Sequence, residues 1–516
     1  MIQKSQKNCY TYFLYCFSIL ILFPTVISYK PSPPGWDESV YLFRSVSLAV
    51  YAWHGNFKAL INNLSNVHAS PLMNFFALPW GFLHNYFWLI NLSVFGLTTF
   101  TFLCMIFCFK VLSDLKANPL LVLLASLSIT FNTIITPCEF LSDTPLAWLV
   151  LATLLMTILE MCKEYADAKQ SRLRAAQYGL ILGLGCLVKI SFCYFALCSF
   201  LVCFGFKVAR LGWFKTLKFY LVAFLFFLPE LTIFLLSIKE QLRHVTYVNS
   251  NQIAQYYALA GGKSFLGEIS RIASCYGIGL YFVFGLLLAC LVLSFLRRFF
   301  RFRSQPFVGL CILSGYIVIS LSTLASDTRY LILILVSFSF LLPTFVVGKM
   351  DTSLRASDAI GSRNLKITTA YFVAFIFFVA VIPTLLAIDT SHIQKEIHFV
   401  QLLNKEKVTS LSFATDTRLY NPSTATLADF IVNYDNLHFK PIRFYSAGHC
   451  HMQGHSLEEC SKIILQSDAV FFDKDADESS ILNQYVLEFY KMLSTDRYKF
   501  SSVPDIPHAD LFIKIQ

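Results

Sequence analysis

The chain has 516 residues, of which 56% are hydrophobic and only 14% charged, and its mean hydropathy is +0.60. That much apolar surface cannot be hidden in a soluble core, which excludes an ordinary soluble enzyme and leaves a multi-span membrane protein. The formal charge of +10 is spaced between apolar runs, a pattern that fits membrane topology and not nucleic-acid binding.

Apolar windows long enough to cross a bilayer fall near 10–29, 86–109, 118–136, 143–161, 175–188, 190–206, 217–238, 277–296, 306–325, 329–348 and 368–389. They predict about eleven spans. The first follows Lys4 and Lys7 and lacks a small-x-small cleavage pattern at Ile27-Ser28-Tyr29-Lys30, so it reads as a retained helix and not a signal peptide. With the N-terminus in the cytoplasm, cytoplasmic loops carry roughly twice as many Lys and Arg as the opposite side before residue 390, and this bias sets the orientation. Lys169, Arg172, Arg174, Lys207, Arg210, Lys215 and Lys218 count as cytoplasmic loop charges. Everything after about residue 390 then lies outside.

Just beyond the first span comes Pro33-Pro34-Gly35-Trp36-Asp37-Glu38-Ser39-Val40-Tyr41. The prolines stop the preceding helix and Gly35 lets the chain turn. Asp37 is suited to cap a new helix whose first turn favours Glu38. Adjacent carboxylates at a membrane interface are costly to desolvate, so they either cap a wet helix face or mark a working site. The external loop of about 30–85 is too long for a simple connection. It predicts an interfacial helix over 37–54, a polar stretch to His68, and a short apolar piece from Pro71 that need not span. A second long external loop, about 239–276, carries Tyr247, Tyr256, Tyr257 and Gly261-Gly262 and reads either as a lid or as a plain connection.

After residue 390 the apolar runs shorten to strand length, as in residues 408–414, 469–472 and 510–515, with helical patterns over 423–433 and 479–494. This predicts a small soluble α/β domain. The fifteen cysteines form no CxxC and lie mostly in apolar runs. The cluster His449-Cys450-His451-Met452-Gln453-Gly454-His455 with Cys460 leaves three options open: a Cys450–Cys460 disulfide, unpaired structural thiols, or a metal site of non-standard spacing. No phosphate-binding glycine motif is present.

The predicted topology collects scattered polar residues on the non-cytoplasmic face: Asp37 and Glu38 after span one, Glu139 and Asp143 between spans three and four, Lys189 ending the fifth, and Asp327, Arg329 and Tyr330 opening the tenth. Each alone also reads as a snorkelling or capping group, and Arg329 as a local ion pair with Asp327. Together on one face they suggest a polar cavity.

In its Asp37-Glu38 with Tyr41, its His68-Ala69-Ser70-Pro71-Leu72, its Asp143-Thr144-Pro145-Leu146, its glycine-rich 179–185 leading to Lys189, and its Arg329-Tyr330, the chain resembles the C-type (GT-C) glycosyltransferases of the protein-mannosyltransferase and aminoarabinose-transferase superfamily. The resemblance covers roughly residues 10–390. It implies an α-helical polytopic GT-C domain of about eleven transmembrane helices over 1–390, with the external loop at about 30–85 catalytic, and an extracytoplasmic α/β domain over 391–516. It further implies transfer, with inversion, of a sugar from a polyprenyl- or dolichyl-phosphate carrier to an acceptor hydroxyl on a lipid, glycan or protein. On that reading Asp37 is the base, with Glu38 or Asp143 orienting acceptor or sugar. Lys189 and Arg329 meet the departing phosphate, and Tyr41, His68 and Tyr330 complete the substrate-binding set. No cofactor is fixed, and a divalent cation stays open. The partners are the bilayer, the lipid-linked donor and an unassigned acceptor, with no nucleic acid. The location is the plasma (inner) membrane with active site and C-terminus non-cytoplasmic, the endoplasmic reticulum membrane being the alternative. A multi-span transporter or flippase of lipid-linked substrates competes; such proteins place charges near the bilayer midplane and often show inverted repeats. A scaffold without catalysis is the third reading.

Overall fold

In the computed structural model the described residues are 13–22, 36–65, 71–83, 85–130, 143–162, 168–189, 192–248, 300–302, 336–337, 339–341, 343–344, 346–348, 391–417, 420–436, 440–447, 450, 455–474, 486–493, 498–503 and 506–515. They are mostly helical, with a small sheet near the C-terminus.

The helical part comprises α1 (Phe13–Leu22), α2 (Trp36–Trp53), α3 (Phe57–Ser65), α4 (Pro71–Gly81), α5 (Tyr86–Asp114), α6 (Pro119–Thr130), α7 (Asp143–Cys162), α8 (Ala168–Val188), α9 (Phe192–Leu211) and α10 (Trp213–Val248). Among the described residues three helices are long and apolar enough to cross a membrane, over Phe87–Asp114, Thr144–Cys162 and Trp213–Lys239. The second of these is 94% buried and forms the centre of the bundle, whereas the third is only 17% buried. Leu221, Phe224, Leu225, Phe226, Leu228, Leu235 and Leu236 of α10 are all exposed. A water-facing surface of that size and composition would aggregate, and its length and apolar character are compatible with a face set in a membrane.

The expected count of about eleven spans is carried only in part. The first and third windows hold the shorter apolar helices α1 and α6, the fifth falls within α8, and the sixth lies in α9 from Phe192 on. The eighth, ninth and eleventh lie outside the described residues. The tenth ends not as helix but as a short strand, β2 (Val346–Gly348), paired antiparallel with β1 (Phe300–Phe302). Residues 239–248, expected to open a loop, continue α10. Pro229 inside that helix does not end it, and no further breaker precedes the polar Asn249-Ser250-Asn251.

The most extensive helix contact joins α8 to α10, and its cause is a glycine pair one turn apart. A Cβ at Gly179 would stand 1.9 Å from the carbonyl oxygen of Ala223, and one at Gly183 would stand 2.8 Å from Glu230 Cβ. Small residues at that spacing let two helices approach closely.

The C-terminal part is α11 (Ser391–Lys405), β3 (Ser410–Phe413), α12 (Pro422–Val432), β4 (Arg443–Ser446), α13 (Leu457–Gln466), β5 (Ala469–Asp473), α14 (Val486–Leu493), β6 (Tyr498–Ser502) and β7 (Ala509–Lys514). The strand order is β4-β3-β5-β7-β6, parallel across β4-β3-β5 and antiparallel beyond. Alternate residues of the central strands face opposite sides. Leu411, Phe413, Phe471 and Leu511 pack with Phe399 and Leu403 of α11 and Ala425 of α12. Val470, Phe472 and Phe512 pack on the other face with Cys460 and Ile464 of α13 and with Phe489 and Leu493 of α14. Covered on both faces, β5 reads as the unbroken apolar run seen in the sequence. Asn421 with Thr424, and Ser456 with Glu459, close capping boxes that start α12 and α13.

Candidate functional site

The site expected from the sequence begins with the first turn of α2. That helix starts at Trp36, one residue before the expected cap, so Asp37 and Glu38 both fall in the first turn, where the helix dipole favours negative charge. α2 is held firmly. Ser45 Oγ lies 2.8 Å from Tyr41 O and 3.0 Å from Asn74 O, tying α2 to α4. A Cβ at Gly81 would meet Ala49 Cβ at 3.0 Å. From the C-terminal domain, Leu427, Phe430 and Tyr434 pack on Tyr41, Leu42, Val46 and Val50, and His54 Nε2 bonds the carbonyl of Tyr434 at 3.0 Å. The domain therefore sits on the same end of the molecule as the first loop, directly on α2.

Tyr41, expected to touch substrate, is instead 7% exposed within this apolar cluster. Asp143 is the first residue of α7. Lys189 lies one residue past α8 and is half-buried. Its amide donates to Gly185 O at 3.2 Å and its carbonyl accepts from Phe192 N at 3.0 Å. A Cβ at Gly185 would stand 2.3 Å from the Phe192 ring. The glycine thus lets α9 fold back tightly, leaving Lys189 at the tip of the turn. Antiparallel contact between α7 and α8, through Thr157 and Tyr178, puts Asp143 and Lys189 at the same end of the bundle. His68, Arg329 and Tyr330 lie outside the described residues.

Charges inside the helices were missed by a reading that looked at span ends. Lys207 and Arg174, counted as loop cations, are buried in α9 and α8 because both helices outrun their apolar windows. Lys207 pairs with Glu160 of α7 and lies 3.9 Å from the Phe219 ring centroid. Arg174 pairs with Asp114 at the end of α5. Arg210 Nη1 donates to Met161 O at 2.9 Å. Glu230 stands in the middle of the apolar α10, beside Pro229 and over Gly183, and its Oε2 is buried with no hydrogen-bond partner among the described residues. A glutamate inside an apolar run was legible in the sequence as an intramembrane carboxylate.

The C-terminal domain holds its own buried acids. Burial pushes Glu396 of α11 up to about 8, against a hydrogen bond from Thr424. Asp416, in the turn after β3, is also pushed up to about 8 by burial, against the Ser446 hydroxyl. Asp429 rises to about 7, although Ile442 N and Asn433 Nδ2 donate to it at 2.8 and 2.9 Å. At the carboxyl ends of β3 and β5, Thr415 Oγ1 accepts from Asp473 N at 2.6 Å, and His508 Nε2 is 3.8 Å from Asp473 Oδ1. Cys450 and Cys460 are disulfide-bonded, and His455 faces Glu459 at 3.5 Å. His449 and His451 lie outside the described residues. Among the described residues no three His, Cys, Asp or Glu side chains come together as a metal-binding group. Compared with known protein families and with curated proteins, the chain matches none.

Proposed function

We propose that the chain is a membrane glycosyltransferase that moves a sugar from a polyprenyl-phosphate donor to an acceptor hydroxyl, with inversion, on the side bearing α2 and the C-terminal domain. The observation that carries this reading is the clamping of α2 between α4 and α12. It presents the Asp37-Glu38 turn at the same end of the molecule as the C-terminal domain. A catalytic carboxylate needs such fixed geometry, since misplacement by an ångström forfeits much of the rate.

In the proposed reaction Asp37 takes the acceptor hydroxyl proton as the oxygen attacks the anomeric carbon. The bond from that carbon to the lipid phosphate breaks, and the phosphate leaves with the bonding pair. Lys189 and Arg329 stabilise the charge that develops there, while Glu38, Asp143, His68 and Tyr330 orient donor and acceptor. The Cys450–Cys460 disulfide supports an oxidising, non-cytoplasmic location for this face, at the plasma membrane or in the endoplasmic reticulum.

The experiment is transfer of radiolabelled sugar from a panel of polyprenyl-phosphate sugars into cell-envelope fractions. Wild type should incorporate label, and Asp37→Asn, inserted at normal abundance, should lose it by about a hundredfold or more. Full transfer by Asp37→Asn would end the base assignment. Glu230 favours the second reading, a transporter or flippase, because a carboxylate deep in a lipid-facing span is a feature of carriers. No transfer from any donor, with lipid-linked sugar nonetheless crossing proteoliposome membranes, would select it.

A further inference from the structure

We propose that the end of the bundle opposite α2 carries a binding site for the headgroup of an anionic phospholipid, formed by Arg172 of α8 and Lys215 and Lys218 of α10 around Trp213 and Phe214.

The register of the two helices brings these residues to one level. Tyr178 of α8 meets Phe219 and Tyr220 of α10, with ring centroids 6.4 and 6.3 Å apart. Further along, Gly179 meets Ala223 and Gly183 meets Glu230, so α8 and α10 run side by side in the same direction. At 1.5 Å per residue, Arg172 lies about 9 Å before Tyr178 and Lys215 about 7–8 Å before Tyr220. The two cations are therefore level with each other.

A single residue, Gly212, links α9 to α10 at a φ of +79°, a left-handed conformation that glycine adopts at little cost. Thr216 Oγ1 donates back to Gly212 O at 2.9 Å. This corner fixes the first turn of α10, and its side chains point outward: Trp213 is 55% and Phe214 86% exposed, and Lys215, Lys218 and Arg172 are exposed as well. The lipid-facing apolar stretch of α10 begins immediately beyond, which puts this turn at the depth of the headgroups, where amphipathic Trp and basic side chains are favoured.

The local charge balance selects an anionic headgroup. Of the acids at this end, Asp114 and Glu160 face the cations Arg174 and Lys207, and in the sequence Glu164 and Asp167 of the α7–α8 connection are outnumbered by Lys163, Lys169, Arg172, Lys215 and Lys218. The remaining positive charge is directed outward. Each basic residue at an anionic surface contributes attraction that falls off within a Debye length.

The test uses the full chain in phosphatidylcholine nanodiscs doped with dibrominated lipid, whose bromines quench nearby tryptophan. The Trp213 signal is the difference between wild type and Trp213→Phe. Dibrominated phosphatidylglycerol should quench it with a relative affinity about fivefold that of dibrominated phosphatidylcholine. The excess should shrink toward unity in about 0.5 M salt and in the Arg172→Gln, Lys215→Gln, Lys218→Gln triple variant. The salt arm needs no substitution, so it decides the matter even if the triple variant does not fold. Equal quenching by the two lipids, or an excess that survives salt, overturns the proposal. Neither outcome depends on glycosyl transfer.

Discussion

Lys207 Nζ lies 2.6 Å from Glu160 Oε2, with the two side chains 3% and 0% exposed. The pair joins α9 to the central helix α7, and the ring of Phe219 on α10 covers the ammonium. Removing either partner strands the other charge in the bundle. Lys207→Met or Glu160→Gln alone should cost about 3–5 kcal/mol, and the double replacement Glu160→Leu with Lys207→Met should recover most of it. Thermal unfolding of the purified protein in detergent checks both. Additive losses in the double variant would mean that the pair does not act as a unit.

The C-terminal domain should lose stability as pH rises. Burial lifts Glu396 and Asp416 to about 8, from ordinary values of 4.5 and 3.8, and Asp429 to about 7. The folded domain then holds protons that the unfolded chain has already released. The contribution of these groups is complete below about pH 4 and is lost as pH rises through 7 to 8. Unfolding midpoints of the full chain measured from pH 5 to 8.5 should fall, and Glu396→Gln with Asp416→Asn should flatten the slope. An unchanged slope in that variant would assign the effect elsewhere.

How much of this was legible in the sequence differs by region. The helix expected over 37–54 is present as α2, because Pro33-Pro34-Gly35 marks its start in the chain itself. Strand β5 was equally readable, since burial on both faces leaves an unbroken apolar run. Strands β4 and β6 were not foreseen: they are the sheet's edges, and their partly exposed, polar residues carry no such run. The docking of α12 on α2 was also invisible, because it joins residues nearly four hundred positions apart and has no local signature. Tyr41 shows the consequence: chosen as a ligand contact from its place beside Asp37-Glu38, it spends its side chain on that interface.

The disulfide should matter more to stability than to the fold's outline. Cys450 and Cys460 are ten positions apart, and closing a loop of that size in the unfolded chain is worth about 2–3 kcal/mol on the entropic account. Cys460→Ser should lower the unfolding midpoint without changing oligomer size on a sizing column. Thiol labelling of protein from intact cells should find Cys450 blocked in wild type and reactive in the variant. Reactive Cys450 in wild type would place the domain in a reducing compartment and reverse the orientation read from the basic loops.

Gly183 and Glu230 form a seam that a compensating pair of substitutions can probe. Gly183→Ala puts a methyl group 2.8 Å from Glu230 Cβ and 2.9 Å from Cγ. It should therefore push α10 away from α8 at a cost of about 1–3 kcal/mol. Glu230→Ala removes the obstructing atoms beyond Cβ and the buried carboxyl oxygen together, and should be tolerated or stabilising, since that oxygen has no hydrogen-bond partner among the described residues. In the double variant the contacts to Cγ and Cδ are gone while that to Cβ, at 2.8 Å, stays, so its cost should fall only in part below that of Gly183→Ala alone, a non-additivity expected only of residues in contact. At Gly179 no such rescue exists: its Cβ would strike the backbone oxygen of Ala223 at 1.9 Å, which no side-chain change removes. Gly179→Ala should therefore damage the bundle in every background. Melting curves of the four variants decide the matter, and a Gly183→Ala penalty undiminished by Glu230→Ala would show that the seam's close approach is set by backbone and not by this carboxylate.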